Sequence, residues 1–193
     1  MSEGGAPLEV TDAELQAAER RRAALSQVRA FGDPILRSRA REVETFDDDL
    51  RAQACKMAAL MHDSQGIGLA APQAGIANRL LVYRVLGEGT VRVLVNPVYE
   101  WQGDELQWLE EGCLSLPAVS VEVERPVHVR VSAQDEHGQS MLVEASGLEA
   151  RVIQHEIDHL DGVLILDRAR RDQRKQAMKD LREALALREA SAS

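Results

Sequence analysis

The chain has 193 residues, 45% of them hydrophobic, which suits one globular domain with a real core and excludes a disordered segment. Its formal net charge of −9 argues against a general nucleic-acid binder, because phosphate neutralisation needs clustered Lys and Arg. Aromatic residues make up only 3%, too few for a base-stacking surface, so no DNA partner is expected.

No stretch approaches the roughly 18 apolar residues of a membrane span, and no basic region followed by an apolar run stands behind Met1. A cytoplasmic location is therefore expected. The two cysteines, Cys55 and Cys113, then read as ligand or core residues before they read as halves of a bridge.

In chain order, residues 1–10 are small and polar and are expected to be loose. Thr11-Asp12-Ala13-Glu14 has the form of a capping box. The helix after it, to about Leu25, has a thin apolar stripe and the charged run Glu19-Arg20-Arg21-Arg22, and reads as an extension that adds little to the core. Asp33-Pro34 marks a turn. Asp47-Asp48-Asp49 places negative charge at the start of a second helix, which carries Leu50, Ala54, Met57 and Met61 at helical spacing. Cys55 beside that stripe reads as an ordinary buried or half-buried thiol, and His62 as a charge partner at the helix end. Val-rich runs at Leu80–Leu86, Val91–Asn96, Val119–Glu124, Val127–Ala133 and Met141–Ala145 read as strands, with Glu136-His137-Gly138 as a hairpin turn. A helix over about Leu148–Leu160 ends before Gly162. A last helix, about Arg168–Glu189, has Met178, Leu181 and Leu185 on one side.

The chemistry concentrates in His155-Glu156-Ile157-Asp158-His159. Residues four apart share a helix face, so His155 and His159 grip one ion, while Glu156 stands close enough to handle the proton of an activated water. Many metalloproteases share this run, and a zinc endopeptidase is the alternative reading. One large group extends the run with a third histidine, where this chain has Ile165. The glutamates further on, Glu183 and Glu189, fall in the polar final helix, which argues against a downstream glutamate ligand. The third ligand is therefore sought upstream, which favours Cys113 in Glu111-Gly112-Cys113-Leu114-Ser115. The run Gly66-Ile67-Gly68-Leu69-Ala70-Ala71-Pro72-Gln73 has the glycine spacing of a dinucleotide fingerprint. It follows a helix instead of a strand, and Pro72 interrupts it, so close backbone approach to a ligand is the better use of its glycines. Gln73 adds an amide able to donate to a developing oxyanion.

These three runs, in this order, closely resemble the signature motifs of the peptide deformylases, with similarity from about Val28 to Asp167. The resemblance implies an α+β fold: antiparallel sheets around a central metal-binding helix, followed by a C-terminal helix. It implies hydrolytic removal of the formyl group from the formylmethionine of nascent polypeptides. The metal ligands map onto Cys113, His155 and His159, with Fe(II) as the usual ion and Zn(II) or Ni(II) as substitutes. Glu156 then carries the proton, and Gln73 and the Leu114 N–H stabilise the oxyanion. The substrate backbone pairs with Ile67-Gly68 and Gly112, and its methionine enters a pocket for which Ile67, Leu109, Leu148 and Val152 are candidates. Some members carry an arginine where this chain has Ser120; Arg151, one turn before His155, is expected to rim the pocket and supply a charge instead. Charge complementarity and similar placement pair Asp158 with Arg125, fixing the metal helix to the sheet.

The chain thus divides into a partly helical extension (1–26), a catalytic domain (27–167) and a basic amphipathic C-terminal helix (168–193). From Val163 onward there are eight Arg or Lys against five Asp or Glu. That segment reads as a solvated helix or, functionally, as a means of docking to the ribosome where the substrate emerges.

Overall fold

The computed structural model describes residues 11–84 and 87–191. The loose segment expected at 1–10, and the end of the expected strand at Val85-Leu86, lie outside these residues. The capping box forms: Glu14 Oε2 accepts the Thr11 N–H at 2.8 Å, and Thr11 Oγ1 accepts the Glu14 N–H at 3.3 Å. It starts α1 (Asp12–Leu25), of which only Ala24 is buried. Asp47 caps α2 (Asp48–Asp63) by accepting the Leu50 N–H at 3.0 Å, and Leu50, Ala54, Met57 and Met61 form its buried stripe. Cys55 corrects the sequence reading, for it is exposed. One residue after Ala54 is about 100° further round the helix, which carries the thiol past the edge of that stripe.

The strands form two antiparallel sheets. The larger has the order β1 (Gly68–Ala70), β2 (Leu80–Arg84), β3 (Val91–Gln102), β6 (His128–Gln134), β7 (Ser140–Ser146); a separate hairpin pairs β4 (Leu106–Cys113) with β5 (Leu116–Pro126). The sequence pattern missed β1, which is three residues long, and β4, whose adjacent Glu110 and Glu111 break the alternation of a half-buried strand. It also stopped β3 at Asn96. The ladder survives Pro97 because its register shifts between Val95 and Val98, so proline falls at an irregularity where no ladder N–H is required.

The central element is α3 (Gly147–Leu160). Ala150, Val152, Ile153, Ile157 and Leu160 pack with Leu81, Tyr83, Leu94, Val131 and Val143 of the larger sheet. The other flank of α3 meets the hairpin, where Gln154 Nε2 donates to Pro126 O at 2.9 Å and Arg151 NH1 to Val123 O at 3.0 Å. Antiparallel sheets on both flanks of one buried helix make this an α+β fold.

The expected last helix forms as α5 (Arg171–Ser191), starting three residues later than the sequence suggested; a separate short α4 (Ile165–Arg168), which the sequence pattern missed, precedes it and ends at Ala169, which is extended. Ala177 and Leu181 of α5 are buried with Val121 and Val123 of β5, and Met178 and Leu185 pack at the edge.

The turn between α3 and α4 depends on Gly162, which has φ +74° and would place a Cβ 2.7 Å from the Arg37 carbonyl oxygen. Both the left-handed backbone and the collision penalise any side chain. Gly162→Ala is expected to cost about 1–3 kcal/mol and to lower the thermal unfolding midpoint by several degrees, read by scanning calorimetry on wild type and variant in parallel.

Candidate metal centre and catalytic cleft

Two elements that do not pair with each other bring the donors together. The α3 helix carries His155 and His159 one turn apart, their ring centroids separated by 5.0 Å. β4 ends in Cys113, where the hairpin register shifts. Cys113 Sγ lies 3.3 Å from His159 Nε2, and the ligand atoms of Cys113, His155 and His159 all lie within 4.8 Å of one another. One thiolate and two imidazoles at this spacing fit a single divalent ion.

Orientation of the imidazoles is set by what surrounds them. Glu111 Oε2 lies 3.0 Å from His155 Nδ1. Burial would raise the Glu111 carboxyl, but hydrogen bonds from His155 and Arg125 outweigh it and hold the group down at about 2. An ionised carboxylate only accepts, so Nδ1 carries the proton and Nε2 keeps its lone pair for the cluster. His159 Nδ1 is buried with no partner among the described residues.

Glu111 is the hub of a buried ionic network. Arg125 reaches it with Nε at 2.6 Å and NH2 at 3.0 Å, and Arg151 NH1 lies at 2.6 Å. Arg125 NH1 also donates to Asp158 Oδ2 at 2.9 Å, and Arg168 NH2 grips Asp158 Oδ1 at 2.6 Å. Sequence reasoning assigned no role to Glu111 or Arg168. Glu111 had one visible signal, an acid immediately before the Gly112-Cys113 pair; Arg168 had none.

Glu156 is 4% exposed, and its Oε2 has no hydrogen-bond partner among the described residues. Burial pushes its carboxyl up to about 7, against the pull of His155 and Arg125. Its Oε1 lies against Gly68, where any Cβ would collide with it. Gln73 sits on a 3-10 turn (Ala71–Ala74). Its Oε1 accepts the Ala70 N–H at 2.9 Å, which turns Nε2 toward Ser115 Oγ at 3.4 Å and Cys113 Sγ at 3.7 Å.

These groups face a cavity of about 730 Å³ lined by Ile67, Gly68, Gln73, Gly112, Cys113, Leu114, Leu148, Val152, His155 and Glu156, among others. Two expected pocket residues sit differently. Leu109 is 40% exposed and outside the lining, two positions before Glu111 on β4 and so about 7 Å along the strand. Arg151 lines the cavity, yet its guanidinium faces away into Glu111, Val123 O and Gln107 O, so it supplies no free charge at the rim. The lining also includes Arg21 and Leu25 of α1, which the sequence offered no reason to place there.

A sulfur and two imidazoles beside a buried carboxyl whose Oε2 has no partner among the described residues, opening on a substrate-sized cavity in an α+β fold, define a mononuclear metallohydrolase. The family model for polypeptide deformylase matches residues 25–175. A peptide deformylase of Parafrankia is 43% identical over 157 residues, covering 81% of this chain and 85% of that protein. One of Picosynechococcus is 48% identical over 141 residues, covering 72% and 75%. The structure of a peptide deformylase from Synechococcus elongatus in complex with actinonin superposes with a TM-score of 0.75 at 43% identity, covering 79% of this chain and 85% of that one. The chain belongs to the polypeptide deformylase family. The endopeptidase alternative finds no support in these matches.

Because Arg125 bridges two buried carboxylates on different elements, removing it breaks that link between hairpin and helix and leaves Glu111 to Arg151 and His155, and Asp158 to Arg168 alone. Arg125→Ala is expected to destabilise the fold by about 3–5 kcal/mol and to lower the metal content of the purified protein. Calorimetry and elemental analysis check the two parts, and an unchanged value in both would remove Arg125 from this role.

Proposed function

We propose that this chain removes the formyl group from the N-terminal formylmethionine of newly made proteins, releasing formate and a free amino terminus. The observation that carries the reading is the convergence of Cys113, His155 and His159 beside the buried, unpaired Oε2 of Glu156. Cys113, His155 and His159 would hold a divalent ion, which would supply Lewis acidity and make the attacking water more acidic. Glu156 takes the proton of the attacking water on Oε2 and delivers it to the departing amine nitrogen. The Gln73 amide and the Leu114 N–H donate to the oxyanion that develops on the formyl oxygen.

The formyl-peptide lies extended between Ile67-Gly68 and Gly112, with main-chain pairing in the manner of an added strand. Its methionine packs among Ile67, Leu148 and Val152. The missing side chain at Gly68 leaves Glu156 its place. Fe(II) is the native ion by resemblance, with Zn(II) or Ni(II) as substitutes, although the donor set alone would suggest zinc. A cytoplasmic location agrees with two free thiols, and among the described residues no helix is long and apolar enough to cross a membrane.

Formate release from formyl-Met-Ala-Ser tests the reaction. Glu156→Ala should lose about 10²–10⁴ in kcat while keeping its metal, and Cys113→Ala should lose the metal itself. An endopeptidase would cleave unformylated peptides and would keep its ion in Cys113→Ala.

The C-terminal segment is proposed to dock on the ribosome. Exposed Lys175 and Lys179 face away from the buried stripe of α5, whereas Arg174 lies in line with that stripe and pairs with Asp167 at 3.8 Å. Reversing the two lysine charges is expected to reduce co-sedimentation with ribosomes while leaving formate release from the free tripeptide intact. Undiminished co-sedimentation would remove the docking role. Truncating α5 is a poorer test, because it strips Ala177 and Leu181 from the core.

A further inference from the structure

The α1 helix contributes little to the core, yet it forms one wall of the catalytic cleft. Arg21 and Leu25 line the cavity that contains Cys113, His155 and Glu156. Together with Gln65 they also line a second hollow, of about 460 Å³, that continues along α1 past Ala18, Ala17 and Glu14. The two hollows share three residues and form one groove leading outward from the metal ligands.

The direction of that groove is fixed by the segment Gln65-Gly66-Ile67-Gly68. Gly68 abuts the Glu156 carboxylate, a Cβ on Gly66 would meet Leu114 Cδ1 at 3.0 Å, and Gln65 reaches α1. A substrate lying along this segment with its formyl group at the ligand cluster advances about 3.3 Å per residue. Gln65 stands in the turn after α2 with φ +61°, three residues before Gly68, so at full reach it lies no more than roughly 10 Å from Gly68, and a peptide following the shared groove brings its third residue beneath α1.

Charge at that point belongs to Arg21. Its Nε donates to Ser64 O at 3.4 Å, which holds the side chain beside Gln65, and among the described residues no carboxylate pairs with it. Glu14, the acid in the outer hollow, spends Oε2 on the Thr11 N–H and hydroxyl, both at 2.8 Å. Of the two guanidinium groups lining the catalytic cavity, Arg151 is consumed by Glu111. Glu110 of β4 also lines the catalytic cavity but not the outer hollow along α1.

We infer that Arg21 is a specificity-determining residue that selects an acidic side chain, Asp or Glu, at the third position of the formyl-peptide. The inference rests on the deformylase reading and adds to it a substrate preference set by the N-terminal helix. An exposed ion pair of this kind changes kcat/KM by about two- to fivefold, mainly through KM, and fades at high salt.

The test compares formyl-Met-Ala-Glu-amide, formyl-Met-Ala-Lys-amide and formyl-Met-Ala-Ala-amide on the full-length metal-loaded enzyme and on its Arg21→Glu and Arg21→Ala variants. Wild type is expected to favour the Glu peptide over the Lys peptide, Arg21→Ala to bring the ratio toward one, and Arg21→Glu to invert it. Raised salt should flatten every ratio. Formate release from all three peptides with the same Glu-to-Lys ratio in wild type and Arg21→Glu would overturn the role of Arg21 and leave the deformylase reading standing. Failure of wild type to release formate from any of them would overturn both.

Discussion

The contact on which the site depends is the buried cluster of Glu111, Arg125 and Asp158. It joins the β4–β5 hairpin to α3, two elements in separate layers. Apolar packing alone would leave the hairpin free to slide by fractions of an ångström along the helix, because dispersion is non-directional. A bidentate guanidinium between two carboxylates is directional and short-ranged. Desolvating these charges is costly, and their mutual attraction offsets that cost only when the geometry is nearly ideal. The cluster is therefore better understood as a locator than as a source of net stability. It sets the strand that carries Cys113 against the helix that carries His155 and His159.

The same carboxylate also speaks to the electronic state of the cluster. By accepting from Arg125, Arg151 and His155, Glu111 stays ionised and fixes which nitrogen of His155 bears the proton. Position and protonation state are thus governed by one side chain. Glu156, one residue after His155 on α3, has no hydrogen-bond partner on Oε2 among the described residues. Two buried glutamates near the same imidazole are pushed in opposite directions: hydrogen bonds hold Glu111 ionised, while burial pushes the Glu156 carboxyl up to about 7.

Much of this was legible in the sequence because the relevant signals were local. A four-residue spacing on a helix, a capping box at Thr11, an Asp at the start of α2 and a left-handed glycine at its expected place all depend on neighbours within one turn. The strands with dense valine were legible for the same reason. What was hidden depends on pairing across the chain. β4 reads as polar because its charged residue Glu111 finds its partners on β5 and α3, and no window of eight residues contains them. The exposure of Cys55 turned on a single step of helical rotation. Leu109 was placed in the pocket by resemblance and Arg151 at its rim by standing one turn before His155; Leu109 lies outside the lining, and Arg151 lines the cavity with its guanidinium turned into Glu111. The direction in which each side chain leaves its element decides what it faces. The placement of α1 along the cleft had no local signal at all, since a helix with one buried residue gives no pattern by which to dock it.

The separation of Cys113 from the two histidines has a consequence for the life of the protein. Donors from a hairpin and a helix that meet only in the folded state form no binding site in the unfolded chain, so an ion seated among them acts as a cross-link between layers. Each tenfold rise in free ion above its dissociation constant then adds about 1.4 kcal/mol to the folded form. Metal scarcity would then be felt as shortened survival against proteases as well as lost turnover.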